Sequence, residues 1–190
     1  MTRKDEILQA ARDVLIEEGH YRLTLRNVAE RVGIKLASLQ YHFPSKGNLV
    51  SQLMRVSVAG YQEIMRELTY SIVANEESSA IERLFSVYQD EQASGVFEQL
   101  WALSVQDPQL KAQYEASYLD LWSTIGDIIR QFDPEATDDE CRTRAAMIIA
   151  LLDGLETFVG AEPLQSLVPA SLPIHVVTLI KNVAQGGYDA

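Results

Sequence analysis

Val28-Ala29-Glu30-Arg31-Val32-Gly33-Ile34, followed by Leu39 and then Tyr41-His42-Phe43-Pro44-Ser45-Lys46, is the stretch that decides how this chain folds. Val28 and Val32 lie four apart, so a helix through them has one apolar face. Ala29 is small enough for a second helix to cross close above it. Gly33, four residues after Ala29, stands where a helix ends and where a positive φ costs least. Ile34 and Leu39 supply the inward contacts of the next helix. Two short helices joined by a tight turn are the sequence form of a helix-turn-helix, whose second helix enters a DNA major groove. The pattern predicts a ligand, duplex DNA, as well as a fold.

Outward from this hairpin the apolar residues keep a 3.6-residue period and strand signals are nearly absent. Residues 4–18 put Ile7, Leu8, Ala11, Val14 and Leu15 on one face and stop at Gly19. Thr24 is placed to cap a helix reaching Val32, and Lys35 to His42 form the next. After Pro44, Ser45 can cap a long helix carrying Leu49, Leu53, Val56, Ile64, Met65 and Leu68. A polar break at 75–79 precedes a helix marked by Ile81, Leu84, Phe85 and Tyr88, and a shorter one from about Val96 to Val105 ends at Asp107-Pro108. Leu110, Tyr114, Tyr118, Leu121, Trp122, Ile125, Ile129 and Phe132 then define a long amphipathic helix.

Thr137-Asp138-Asp139-Glu140 opens another helix with acidic residues suited to an N-terminus. From Ala145 to Leu152 that helix is apolar all round, so it must be covered on every side. A loop marked by Pro163, Pro169 and Pro173 leads to a last helix with Ile174, Val177, Leu179, Ile180 and Val183. The reading is an all-α chain: a three-helix head over residues 1–46 and a helical effector-binding and dimerisation bundle over 47–190. The last two helices are read as a homodimer surface.

The net charge of -11 argues at first against nucleic acid, but its distribution does not. Residues 1–50 carry eight Lys/Arg against six Asp/Glu, leaving eight basic and 21 acidic residues for the other 140. A weakly basic head on an acidic body meets a polyanion in one orientation. A single cysteine, Cys141, excludes an internal disulfide framework and fits a reducing cytoplasm. The eight-residue apolar run Ala145–Leu152 is far shorter than the roughly 20 residues needed to span a bilayer.

The order Thr24-x-x-x-Val28-Ala29, Val32-Gly33-Ile34, Leu39-x-Tyr41-His42-Phe43-Pro44-Ser45-Lys46 resembles the tetracycline-repressor (TetR) family of bacterial transcription regulators, over about residues 4–50. The resemblance implies a homodimer, often a repressor, in which a small molecule bound by the C-terminal helices alters the separation of two DNA-reading heads. Thr24, at a helix start, would bond a phosphate. Tyr41 and His42, closing the recognition helix, and Lys46, opening the next, would do the same, positioning the protein without reading sequence. Lys35, Ala37, Ser38 and Gln40 would face the bases; Lys suits guanine and Gln suits adenine. Family members commonly carry glycine and tyrosine where this chain has Ala37 and Gln40, so no relative's operator carries over. Arg3 and Lys4 are read as a short arm ahead of the first helix.

In the body, Tyr88, Phe97, Trp101, Tyr114, Tyr118, Trp122 and Phe158 are the aromatic candidates for an effector pocket. Trp101 and Trp122 stand out because a buried indole N–H needs a partner. Gln99, Glu156 and His175 are candidates for pocket polarity, and the effector is expected to be small and largely apolar. Catalysis finds no support: the three histidines, His20, His42 and His175, have no ligand spacing, and there is no nucleophile elbow, phosphate loop or dinucleotide fingerprint. No metal or cofactor is expected. A thiolate stabilised beside Arg142 would make Cys141 a redox sensor, but nothing else in the sequence points there. The alternative function is a helical protein-interaction module that keeps the hairpin without binding DNA.

Overall fold

A computed structural model describes residues 2–76, 91–159, 169 and 171–187, side chains at 91–95, 97, 98 and 156–159 apart. Eight α-helices and no strands occur among the described residues. They are α1 (Arg3–Glu18), α2 (Leu25–Val32), α3 (Leu36–His42), α4 (Lys46–Val73), α5 (Glu91–Gln106), α6 (Pro108–Phe132), α7 (Asp138–Val159) and α8 (Leu172–Ala184). The helix expected around Ile81 to Tyr88 lies outside the described residues.

Local chemistry sets the ends. Thr2 and Asp5 form a reciprocal capping box at the start of α1: the Thr2 hydroxyl accepts from the Asp5 N–H and Asp5 Oδ2 accepts from the Thr2 N–H at 2.7 Å. The bond holds the Asp5 carboxyl below the ordinary range. It also draws Arg3 and Lys4 into the first turn, so they are not a free arm: Arg3 pairs with Glu6, and Lys4 Nζ lies 5.6 Å from the Phe43 ring centroid. Gly33 closes α2 at φ +74°, where a side chain would be strained, and its N–H bonds back to Ala29 and Glu30. Asp107 Oδ1 accepts from the N–H of Gln109 at 2.8 Å, so a break of one residue separates α5 from α6. Thr137 and Glu140 repeat the capping box at the start of α7.

By backbone packing the chain divides into two units, Met1–Gly60 with Gly95–Ala116 and Tyr61–Ser94 with Ser117–Ala190, so α4, α5 and α6 each contribute to both. The first is built on Ile7, Ala11, Val14 and Leu15 of α1, Val28 and Ala29 of α2, Leu39 and Phe43, Leu49, Leu53 and Met54 of α4, and Val96 and Leu100 of α5. Each large apolar side chain removed from water there contributes about 1.5–3 kcal/mol. The second is built on Met65, Leu68 and Ile72 of α4, Leu121, Ile125 and Ile129 of α6, Ala145, Ile148 and Leu152 of α7, and Val177, Ile180 and Val183 of α8. In α7 the all-round apolar run is covered unevenly: Ile148, Ile149 and Leu152 are buried, Met147 and Leu151 half-buried and Ala150 exposed.

Candidate nucleic-acid interface and effector site

The face of α3 is decided by its two anchors. Leu39, and Phe43 one turn later, are fully buried, which turns the intervening side chains outward. Ala37, Ser38 and Gln40 are exposed, and Tyr41 is 85% exposed. His42 is half-buried with its ring edge-on to Tyr41, centroids 5.3 Å apart. Lys35 is the N-cap of α3, and its side chain is exposed.

Two further helix starts belong to the same unit. Thr24 caps α2 by accepting from the Asn27 N–H at 3.1 Å, which leaves its hydroxyl proton to donate. Lys46 opens α4 and donates from Nζ to the His20 carbonyl at 3.4 Å. The arginines around them differ in their partners. Arg22 pairs with Glu18 at 3.4 Å and Arg31 pairs with Glu17, while Asn27 donates to Glu18 and holds that carboxyl below its ordinary range. Among the described residues, Arg26 and Lys35 form no ion pair. Arg26 was not singled out from sequence; the available signal was its place just inside a helix opened by Thr24.

The described aromatic candidates of the body fall in both units. Tyr88 and the side chains of Phe97 and Phe158 lie outside the described residues, as does the side chain of Glu156. Trp101 and Tyr114 belong to the first unit, Tyr118 and Trp122 to the second. Trp101 corrects the expectation of a buried indole: it is 57% exposed, because Val96 and Leu100 take the inward positions of α5. Trp122 is half-buried, and its Nε1 donates to the Arg142 carbonyl at 2.7 Å. Gln99 is engaged with His20, and His175 is exposed with Nδ1 2.9 Å from the Ser171 carbonyl.

One polar cluster in the second unit was missed from sequence. The hydroxyls of Tyr61 on α4 and Tyr118 on α6 donate to Oδ1 and Oδ2 of Asp153 on α7, Tyr118 at 3.0 Å. Burial pushes the Asp153 carboxyl above its ordinary value, and the two phenols draw it back. The signal was a single charge, Asp153, in the otherwise apolar run from Ala145 to Leu155. No group of three or more His, Cys, Asp or Glu able to hold a metal occurs among the described residues. No described helix is long and apolar enough to cross a membrane.

Two short helices crossing at a left-handed glycine, with the second turned outward over a buried Leu–Phe pair, define a helix-turn-helix DNA-binding protein. Residues 7–53 match bacterial regulatory proteins of the tetR family, and residues 75–183 match the C-terminal part of BetI-type transcriptional repressors. The chain belongs to the TetR family and is a DNA-binding transcription regulator. It is 20% identical over 182 residues to the HTH-type transcriptional regulator BetI of Klebsiella pneumoniae, covering 92% of each chain. A transcriptional regulator from Rhodococcus shares the fold with a TM-score of 0.75 at 21% identity, over 100% of both chains. A regulator from Saccharomonospora viridis, in complex with choline, does so with a TM-score of 0.66 at 20% identity, over 94% of this chain and 95% of that one.

Proposed function

We propose that this regulator is a cytoplasmic homodimeric repressor that binds a palindromic operator and is released from it by a small molecule. It acts by binding and not by catalysis. Residues 1–46 read the DNA, and residues 47–190 take the effector and hold the two copies together through α7 and α8. Exposed Ile174 and Leu179 on α8 supply apolar surface for that pairing. The observation that carries the DNA reading is the outward face of α3, framed by helix starts whose cations are not neutralised by neighbouring carboxylates. Thr24, Tyr41, His42 and Lys46 contact phosphates, and Arg26 joins them. Lys35, Ala37, Ser38 and Gln40 face the base edges.

Two heads held by one dimer would read half-sites about 34–36 Å apart, one turn of the duplex. The effector must bind the free and DNA-bound states with different affinity, because otherwise it shifts nothing. The choline held by the Saccharomonospora neighbour makes a small organic cation the first compound class to try, beside the small, largely apolar effector expected from the sequence. Selection of bound sequences from a random duplex library, at a stated salt concentration, tests the proposal. A palindrome with that half-site spacing is the expected result. Recovery of single half-sites by a monomer in solution would overturn the dimeric mechanism.

A further inference from the structure

Lys46, a phosphate contact in the proposed reading, is exposed, and its Nζ donates to the His20 carbonyl at 3.4 Å. An ammonium has three N–H groups, so two remain for a phosphate. The carbonyl is neutral and orients the cation without cancelling its charge, unlike the glutamates that pair with Arg22 and Arg31. A lysine on its flexible four-carbon stem gives up rotamer freedom when it meets a phosphate, and one already bonded has given up part of it beforehand. The place of that carbonyl depends on how the turn between α1 and α2 is fastened. Leu23 buries the far end of the turn, and its N–H bonds the same carbonyl at 3.3 Å. At the near end Gly19 has no side chain, and Tyr21 is 84% exposed with its ring against that of His20. Among the described residues, the acceptor that fastens His20 is Gln99 of α5, whose Oε1 takes both the backbone N–H and Nδ1.

We infer that Gln99 and His20 are positioning residues for DNA binding, an assignment that rests on the reading of Lys46 as a phosphate contact. Gln99 sets the His20 backbone, the His20 carbonyl sets the Lys46 ammonium, and the ammonium meets the phosphate. Gln99 lies far along the chain from residues 1–46 but in the same compact unit, Met1–Gly60 with Gly95–Ala116. The DNA-binding machinery therefore extends to α5: residues 1–46 supply the contacts, and Gln99 supplies the alignment of one of them.

A double-mutant cycle on the full chain tests the assignment, with affinity for the selected operator and for a scrambled duplex measured at several salt concentrations. Lys46→Ala is expected to weaken both duplexes about tenfold and to lower the slope of log affinity against log salt by about 0.9. Gln99→Leu is expected to weaken both about threefold or more, and to have no further effect once Lys46 is alanine. A loss that came only from a less stable fold would instead be the same with and without Lys46. Gln99→Leu that binds as the wild type does, or that costs the same factor in both backgrounds, would overturn the positioning role. Tighter binding by Gln99→Leu would overturn it too, because the carbonyl would then be competing with the phosphate for the ammonium. Lys46→Ala with wild-type affinity and slope would remove Lys46 from the phosphate contacts, and with it the reading on which the role rests. Should Gln99→Leu fail to fold, Gln99→Met, with an unbranched stem and no amide oxygen, enters the same cycle.

Discussion

Gln99 Oε1 accepts from two groups of His20, the backbone N–H at 3.3 Å and the ring Nδ1 at 3.0 Å. The backbone donor requires the amide oxygen on that side, so Nδ1 carries the proton in this pair. The pair fastens α5 to the turn between α1 and α2, and the His20 carbonyl in turn receives the Lys46 ammonium. Replacing Gln99 by Leu keeps the volume and leaves two half-buried donors without their acceptor. The expected cost is about 1–2 kcal/mol, read as a fall of about 2–6 °C in Tm. An unchanged melting curve would mean that water replaces the amide without loss.

Arg144 is the most buried charge among the described residues of the second unit. Its Nη1 bonds Asp133 Oδ2 at 2.7 Å and the Ala184 carbonyl at 3.3 Å, so one guanidinium joins the end of α6 to the end of α8. Arg144→Met removes the charge but leaves Asp133 behind, with an expected cost of about 2–4 kcal/mol in denaturant unfolding. Asp133→Asn in the same background should recover part of it. Gly186→Ala should also destabilise, since φ there is +79° and an added Cβ would lie 2.9 Å from Arg144 Nη2.

The helices were legible because their signals are local. Thr24, Gly33 and Ser45 act on neighbours within four residues and the caps they predict are present, and the helix expected to stop at Asp107-Pro108 ends at Gln106. Trp101 was misread because periodicity gives a face and not what covers it; Val96 and Leu100 hold the inward positions five and one residues earlier. Asp153 was missed for a complementary reason. Its partners are 92 and 35 residues away, and no window on the sequence brings Tyr61, Tyr118 and Asp153 together. Arg26 became distinct only when its neighbours Arg22 and Arg31 proved to be paired with glutamates.

On the proposed reading, the head has phosphate contacts such as Arg26 and base contacts such as Gln40, and the two kinds respond differently to salt. Arg26→Ala should lower the slope of log affinity against log salt by about 0.9 and weaken all duplexes alike. Gln40→Ala should leave that slope unchanged and cost about 1–3 kcal/mol only on the preferred operator. Binding isotherms at several salt concentrations, on the selected operator and on a scrambled duplex, give both numbers. A Gln40→Ala effect equal on both duplexes would remove Gln40 from base reading.

Asp153 also sets a pH dependence whose sign runs opposite to that of the capping carboxylates. Burial raises its folded-state pKa above the unfolded value, so between the two the folded chain holds the proton more tightly. Its contribution to stability is therefore greatest below the unfolded pKa and is lost as pH rises through the folded one. Asp5, Glu18 and Glu140 are lowered, by bonds from Thr2, Asn27 and Thr137, and their contributions are present above the unfolded pKa and lost on acidification. Because all four titrate in acid, the Asp153 share appears only as a difference. Wild type and Asp153→Asn should be compared in urea from neutral pH downward, and the wild type should gain on the variant as pH falls through the Asp153 pKa. A stability difference that stays constant across the interval would show that Asp153 keeps an ordinary pKa despite its burial.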